Sequence, residues 1–437
     1  MAAPIAAGMI FQTLYHLVDL YFVARLGDAA IAGVSAAGNA VFVVFALTQV
    51  LGVGTVALIS HAAGRKDQPE ANLIFNQSLV LSGLCALITI VAGALVTVPY
   101  MSVVAADEAT VQAGKTFLYW FMPGLALQFA LVAMGSALRG TGIVKPTMVV
   151  QVVTVILNII LAPILIAGWG TGLPMGVAGA GLASTLSVTV GVILLGLYFA
   201  RLEKYVAFHK ELWRPRLQAW KRMLAIGLPA GGEFVLMFVY MAVIYWTIRH
   251  FGAAAQAGFG VGSRVMQAIF LPAMAVAFAA GPLAGQNYGA RRPDRVRETF
   301  SKAAWISSFV MIVLTLLAQW RPDWLIAPFS TDPEVHRTAL QFLQIMSWNF
   351  VAQGIIFTCS SMFQGLGNTR PALLSTGSRL LTFVLPAIWL SGQSWFRIEH
   401  MWYLSVATTG LQAFFSLWLL RLEFRQRLGP MPVAAAA

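Results

Sequence analysis

Residues 138–146 read LRGTGIVKP and residues 363–371 read FQGLGNTRP. The two stretches lie 225 positions apart and match at Gly140 and Gly365, Gly142 and Gly367, Lys145 and Arg370, and Pro146 and Pro371. The same offset pairs Pro4 with Pro229, LGDAAIAG (26–33) with FGAAAQAG (251–258), Gly64 with Gly289, and Asp107 with Asp332. One ungapped offset serving separated landmarks marks a duplicated unit. Each matched nonapeptide also has a local reading. Glycine ends one helix, the basic residue meets the headgroups, and proline opens the next helix in its first turn. Because it follows an apolar helix rather than a strand, the pattern is not a phosphate loop.

The solvent of that unit follows from composition. Of 437 residues, 59% are hydrophobic and 10% charged, with a mean hydropathy of +0.78. Soluble domains carry about 25% charged residues. Runs long enough to cross a hydrocarbon core recur along the chain. Loop composition places spans near 4–26, 36–62, 73–98, 113–138, 146–168, 176–200, 226–250, 260–286, 299–320, 337–363, 371–391 and 400–421. The first has no basic flank or cleavage site and is expected to be retained. The short alternating segments of a membrane barrel are absent. The fold class is therefore an all-α polytopic membrane protein, with twelve transmembrane helices in two six-helix lobes. Six is even, so both copies enter from the same side, and the repeats are parallel about an axis along the membrane normal. The expected organisation is an amino-terminal lobe over 1–200, a cytoplasmic linker over 201–223, and a carboxy-terminal lobe over 224–437 with a short cytoplasmic tail. The linker, RLEKYVAFHKELWRPRLQAWKRM, is basic and amphipathic in places, which predicts an interfacial segment.

The formal charge of +12 is a topology signal. Most of the 28 basic residues fall in the even-numbered connections and at the C-terminus. The positive-inside rule then places both termini in the cytoplasm of a cell inner (plasma) membrane protein. No nucleic-acid partner is expected; the bilayer is. The two cysteines, Cys85 and Cys359, lie in apolar runs and imply no disulfide or metal framework. No HExxH, GxSxG, P-loop or paired-histidine spacing occurs, so the chain reads as neither an enzyme nor the holder of a metal or cofactor.

Of 16 acids, only Asp19 and Glu233 fall inside spans. An intramembrane carboxylate costs about 2.5–3.5 kcal/mol on insertion scales and marks a functional site by default. Gln12, His16 and Asp19 stand at i, i+4 and i+7, one stripe of a helix, with Tyr15 on the same side. Burial and neighbouring donors act in opposite senses on such a carboxylate, the balance a proton-coupled site needs. Glu233 follows Pro229 by four residues. The counterparts of Glu233 and Asp19 in the other copy are Gly8 and Ile244, so the acids are not pseudo-symmetric. Arg264 and Arg379 lie within spans in the same half of the membrane as Glu233, which predicts a charged network in the second lobe, either a structural ion pair or a coupling site. Tyr240, Trp246, Met266 and Met274 are among the residues suited to a pocket for flat apolar molecules.

With twelve spans in two parallel repeats, VDLYFVARLG in helix one, AGQNYGAR after helix eight, and LRGTGIVKP and QGLGNTRP opening helices five and eleven, the chain resembles the multidrug and toxic compound extrusion (MATE) transporters over its whole length. The resemblance implies cation-coupled export of amphipathic, often cationic compounds by rocking of two lobes. It places the proposed H+ or Na+ site at Asp19, a conformational proline at Pro4, and an asparagine of the cation network at Asn158. The second polar residue found in many members one turn after that asparagine is Ala162 here, and helix ten carries no acid. With so few hard oxygen ligands, H+ is favoured over Na+. The expected partners are a small amphipathic substrate and the coupling ion, and the expected state is a monomer. The alternative is a flippase for a lipid-linked or oligosaccharide headgroup.

Overall fold

Hydrocarbon offers the backbone no hydrogen-bond partner, so a chain this apolar closes its N–H and C=O groups within helices. The computed structural model of the protein describes residues 2–105, 107–327 and 333–429. The side chains of residues 12–20 and 253 lie outside the described residues, as does Asp332 of the repeat. Among the described residues there is no strand. The first repeat comprises α1 (Ala2–Ala24), α2 (Asp28–Arg65), α3 (Gln68–Val104), α4 (Glu108–Thr141), α5 (Lys145–Ala167) and α6 (Val177–Arg201). The second begins with α7 (Leu217–Ile248), α8 (Ala253–Gly289), α9 (Pro293–Trp320) and the short α10 (Pro322–Ile326). It continues with α11 (Pro333–Met346), which passes through a 3-10 turn at Ser347–Asn349 into α12 (Phe350–Gly365), and then α13 (Arg370–Ser391) and α14 (Ile398–Leu428). With α11 and α12 taken as one, eleven helices among the described residues are long and apolar enough to cross a membrane. The 23 residues of α1 supply the twelfth, about 35 Å of helical rise.

The offset of 225 survives in the helix starts: Asp28 and Ala253, Glu108 and Pro333, Lys145 and Arg370. In both nonapeptides the glycine and the helix start fall as expected. Gly142 and Gly367 take φ of 90° and 74°, the left-handed conformation that closes a helix without a Cβ penalty, and Lys145 and Arg370 open α5 and α13. Helix ends run past the expected spans until a cap stops them. Asp67 accepts from the Glu70 N–H at 3.1 Å to start α3, and Asp107 from Thr110 at 2.7 Å to start α4. The Thr110 bond holds the Asp107 carboxyl below the ordinary carboxylate range.

The chain divides into two compact units, one over Ala3–Gly227 and one from Leu228 onward. Within each, glycine lets helices meet at backbone distance, because lipid-embedded helices associate through close packing. In the amino unit a Cβ on Gly140 would lie 3.2 Å from the Val56 carbonyl and 3.0 Å from the Ile59 Cβ. In the carboxy unit the matching Gly365 presses on the Gly281 carbonyl and Ala284. Aromatic cores fill the rest, with Phe75 stacked on Phe199 at 4.5 Å in one unit and Phe259 on Trp402 at 5.6 Å in the other.

The connector after α6 runs against the amino unit. Its backbone is strapped to α3 of the amino unit. Gln68 Nε2 donates to the Tyr205 carbonyl (2.9 Å), Asn72 Oδ1 accepts from Ala207 N (2.8 Å), and Asn76 Nδ2 donates to the Ala207 carbonyl (2.9 Å). Asn76 Oδ1 also accepts from His209 N and Trp213 Nε1, and Gln77 clasps Leu212, Arg214 and Arg216. The match is geometric. Four helical residues rise about 6 Å and two extended residues about 6.6 Å, so amides at 68, 72 and 76 meet every second residue of an extended chain. Val206 and Phe208 alternate with the bonded residues; Val206 is fully buried and Phe208 packs on Phe75. An ion pair between Arg222 and Glu70 (2.6 Å) ties the start of α7 to the same helix. Consequently Trp220, expected in the linker, lies within α7. The carboxy unit repeats the device in outline: Arg297, 225 residues after Asn72, donates to the Gly429 carbonyl at 2.7 Å.

Two outcomes are expected. Asn76→Ala leaves three partner groups without their bonds, a loss of about 1–3 kcal/mol for each one that stays buried. Limited trypsin digestion in detergent should then cut at Lys210 or Arg216 much faster than in wild type; equal rates would mean that the strap does not hold the connector. Gly365→Val overpacks the α8–α12 crossing and should cost about 1–3 kcal/mol, read as a lower thermal midpoint. Gly410→Val, at a position with open space around the Cα, should not.

Candidate functional site

In the amino unit the site begins with α5. Its buried face runs through Val150, Val155, Asn158, Ala162 and Ile166. Near the start of that face α5 crosses α1, where a Cβ on Gly8 would lie 2.6 Å from Gln151 Oε1. Asn158 follows Gln151 by seven residues, so it emerges on the same side of α5. Both helices run in the same direction through the membrane, since three crossings, α2 to α4, lie between them. A heptad past the Gly8 contact on α1 is position 15, between Gln12 and His16 on the backbone stripe that ends at Asp19. The side chains of Gln12, His16 and Asp19 lie outside the described residues. Pro4 lies on α1, one turn before the Gly8 crossing.

Asn158 is fully buried, and neither its Oδ1 nor its Nδ2 has a hydrogen-bond partner among the described residues. A buried amide in that state forfeits about 1–3 kcal/mol per unpaired group. Its neighbours on α5 offer no relief: Ala162 is apolar, and Thr154 turns its hydroxyl back to the Gln151 carbonyl. The amide is thus a donor and acceptor held ready on the α1 side. By contrast Asn72 and Asn76, equally buried, are fully engaged in the strap.

The carboxy unit separates the three charges expected to form a network. Glu233, on α7, makes no ion pair among the described residues. Its carboxylate accepts instead from the Ser360 hydroxyl of α12, at 3.1 Å to Oε2. Arg379, on α13, lies over the Tyr240 ring at 4.3 Å and donates from Nη2 to the Tyr240 hydroxyl at 2.9 Å. Arg264, on α8, is exposed and has no partner among the described residues. The reason is axial spacing. Tyr240, which anchors Arg379, stands seven residues beyond Glu233 on α7, about 10 Å by helical rise and out of ion-pair reach. Ser360 was not singled out from the sequence. The polar run TCSS (358–361) in an apolar helix was the available signal, since intramembrane serines pair across helices.

A separate cavity of about 620 Å³ opens among Phe251, Arg337, Gln341 and Glu399, where Gln341 Nε2 donates to Glu399 at 2.7 Å. It contains none of the residues expected to form a site.

A family model described as MatE matches residues 4–164 and 229–390, and the matched segments begin 225 residues apart, at the two prolines of the repeat. The chain is 25% identical over 381 residues to the probable multidrug resistance protein YoeA of Bacillus subtilis, covering 85% of this chain and 81% of that one. It is 23% identical over 392 residues to the FAD transporter of Shewanella oneidensis, covering 88% and 85%. Its fold matches the outward-facing conformation of a multidrug resistance MATE family transporter of the MOP superfamily with a TM-score of 0.91, at 23% identity, over 98% of this chain and 95% of that one.

If Asn158 is held unpaired for a role other than folding, the near-isosteric Asn158→Leu should leave the thermal midpoint in detergent unchanged or higher, because it removes buried polar atoms without breaking a bond. A fall like that expected for Asn76→Ala would make Asn158 a structural residue.

Proposed function

The chain is a member of the MatE family, a family of multidrug efflux transporters, and from that premise we propose that it exports amphipathic compounds in exchange for cations, with H+ as the coupling ion. The buried amide of Asn158, without a partner among the described residues, carries this reading, because its place on α5 is on the side of the α1 stripe of Gln12, His16 and Asp19. In outward-facing protein a proton taken up at Asp19 neutralises the carboxylate, changes what the Asn158 amide can bond on that stripe, and lets α1 repack about Pro4. That repacking favours release of substrate. In inward-facing protein the proton leaves to the cytoplasm and substrate rebinds. Exchange follows only if proton and substrate favour different states, since a ligand that binds both equally shifts nothing.

H+ rather than Na+ is supported by the donor set. A hard cation needs several oxygen ligands, and the position one turn after Asn158 is Ala162. Glu233 is kept as a second carboxylate of the carboxy unit, with Ser360 as its donor. The basic even-numbered connections support a reading with both termini on the cytoplasmic side of the cell membrane, and one chain carries both lobes, so a monomer suffices.

The deciding experiment uses proteoliposomes loaded with a cationic dye, with H+ and Na+ gradients imposed separately on wild type and Asp19→Asn. Proton-driven dye movement that the variant abolishes is the expected result. Movement driven by Na+ alone would overturn the choice of ion, and no movement under either gradient would overturn export itself.

A further inference from the structure

Arg379 is an intramembrane cation that the exchange described above does not use. On α13 it stands four residues after Ser375 and four before Phe383, in the buried stripe that also holds Ala372 and Ala387, so it points into the carboxy unit. Its guanidinium covers one face of the Tyr240 ring and donates Nη2 to the Tyr240 hydroxyl. That hydroxyl is paired in turn with Ser405 Oγ of α14 at 2.7 Å, and the Tyr240 ring is backed by Phe383 at 4.6 Å. Every one of these partners is neutral. Arg379 Nε is buried with no partner, and no carboxylate pairs with Arg379 among the described residues.

Intramembrane arginines ordinarily pair with an acid or a carbonyl. Glu233 stands about 10 Å by helical rise from Tyr240, the residue on which Arg379 sits, and is already held by Ser360. A second arginine lies within α8. Gly260 of α8 faces the Tyr245 hydroxyl of α7, its Cβ position 3.4 Å away. Arg264, four residues later on that side of α8, is exposed and unpaired among the described residues. The carboxy unit therefore carries two intramembrane arginines with no acid partner among the described residues. Arginine is the side chain whose planar fork fits an oxyanion, and Tyr240 holds this one in place beforehand.

We propose that Arg379, seated on Tyr240 with Ser405 behind it, is an oxyanion-recognition site, and that the exported cargo includes amphipathic molecules carrying a carboxylate, sulfonate or phosphate. The inference rests on the export reading for its transport arm, while binding tests the site alone. Arg264 adds long-range attraction rather than a direct contact.

Two xanthene dyes of similar size, cationic rhodamine 6G and anionic carboxyfluorescein, separate the possibilities. In detergent, fluorescence anisotropy should show carboxyfluorescein binding weakened about tenfold or more in Arg379→Ala, with rhodamine 6G changed by less than about twofold. Arg379→Lys, which keeps the charge but loses the fork, should fall between. Tyr240→Phe removes only the hydroxyl anchor and should also weaken carboxyfluorescein selectively. In proteoliposomes wild type should move both dyes, and Arg379→Ala only rhodamine 6G. Equal loss of both dyes in folded Arg379 variants would make the residue a structural or counter-ion group and overturn the proposal. So would wild type that binds and moves rhodamine 6G but not carboxyfluorescein. If wild type moves neither dye yet binds carboxyfluorescein through Arg379, the site stands and the export reading falls.

Discussion

A polar group inside a hydrocarbon layer has no water to fall back on, and nearly every feature of this protein follows from that. The backbone meets the condition within helices, which is why regular structure covers almost the whole described chain. Side chains meet it helix by helix: serines and threonines turn hydroxyls to carbonyls one turn back, and the buried amides of α3 find the backbone of the connector. Against that background an unmet polar group stands out. Asn76 and Asn158 are the same residue, both fully buried in the amino unit. One has every atom bonded and serves the fold. The other has none bonded among the described residues.

The duplicated scaffold is symmetric where it serves packing and asymmetric where it serves chemistry. Helix starts, the left-handed glycines 142 and 367, and the crossings at Gly140 and Gly365 all repeat at one offset, because close helix contact tolerates few residue types. The polar groups do not repeat. The counterpart of Asn158 is Phe383, a core aromatic, and that of Arg379 is Thr154, which bonds its own helix. Duplication supplied two similar frames, and the intramembrane charges were then set independently in each.

The strap between α3 and the connector has its own mechanical consequence. Because residues 205–216 are bonded along one side of α3, the chain from α6 to the start of α7 belongs to the amino unit and offers little slack of its own.

The sequence by itself determined the solvent, the helix pattern, the repeat and the capping nonapeptides. Those follow from local composition, from spacing along a single helix, and from one constant offset. It also singled out Asp19, Asn158, Glu233, Arg264 and Arg379, because polar groups are costly wherever a span places them. Only the tertiary structure decided what each of these meets. Glu233 takes a serine from α12 rather than an arginine, Arg379 takes a tyrosine rather than a carboxylate, and Asn158 takes no partner among the described residues. The reason is that hydrogen bonds between helices depend on axial register and rotation at crossings, to within an ångström or so. The apolar residues that set register and rotation are nearly interchangeable in sequence.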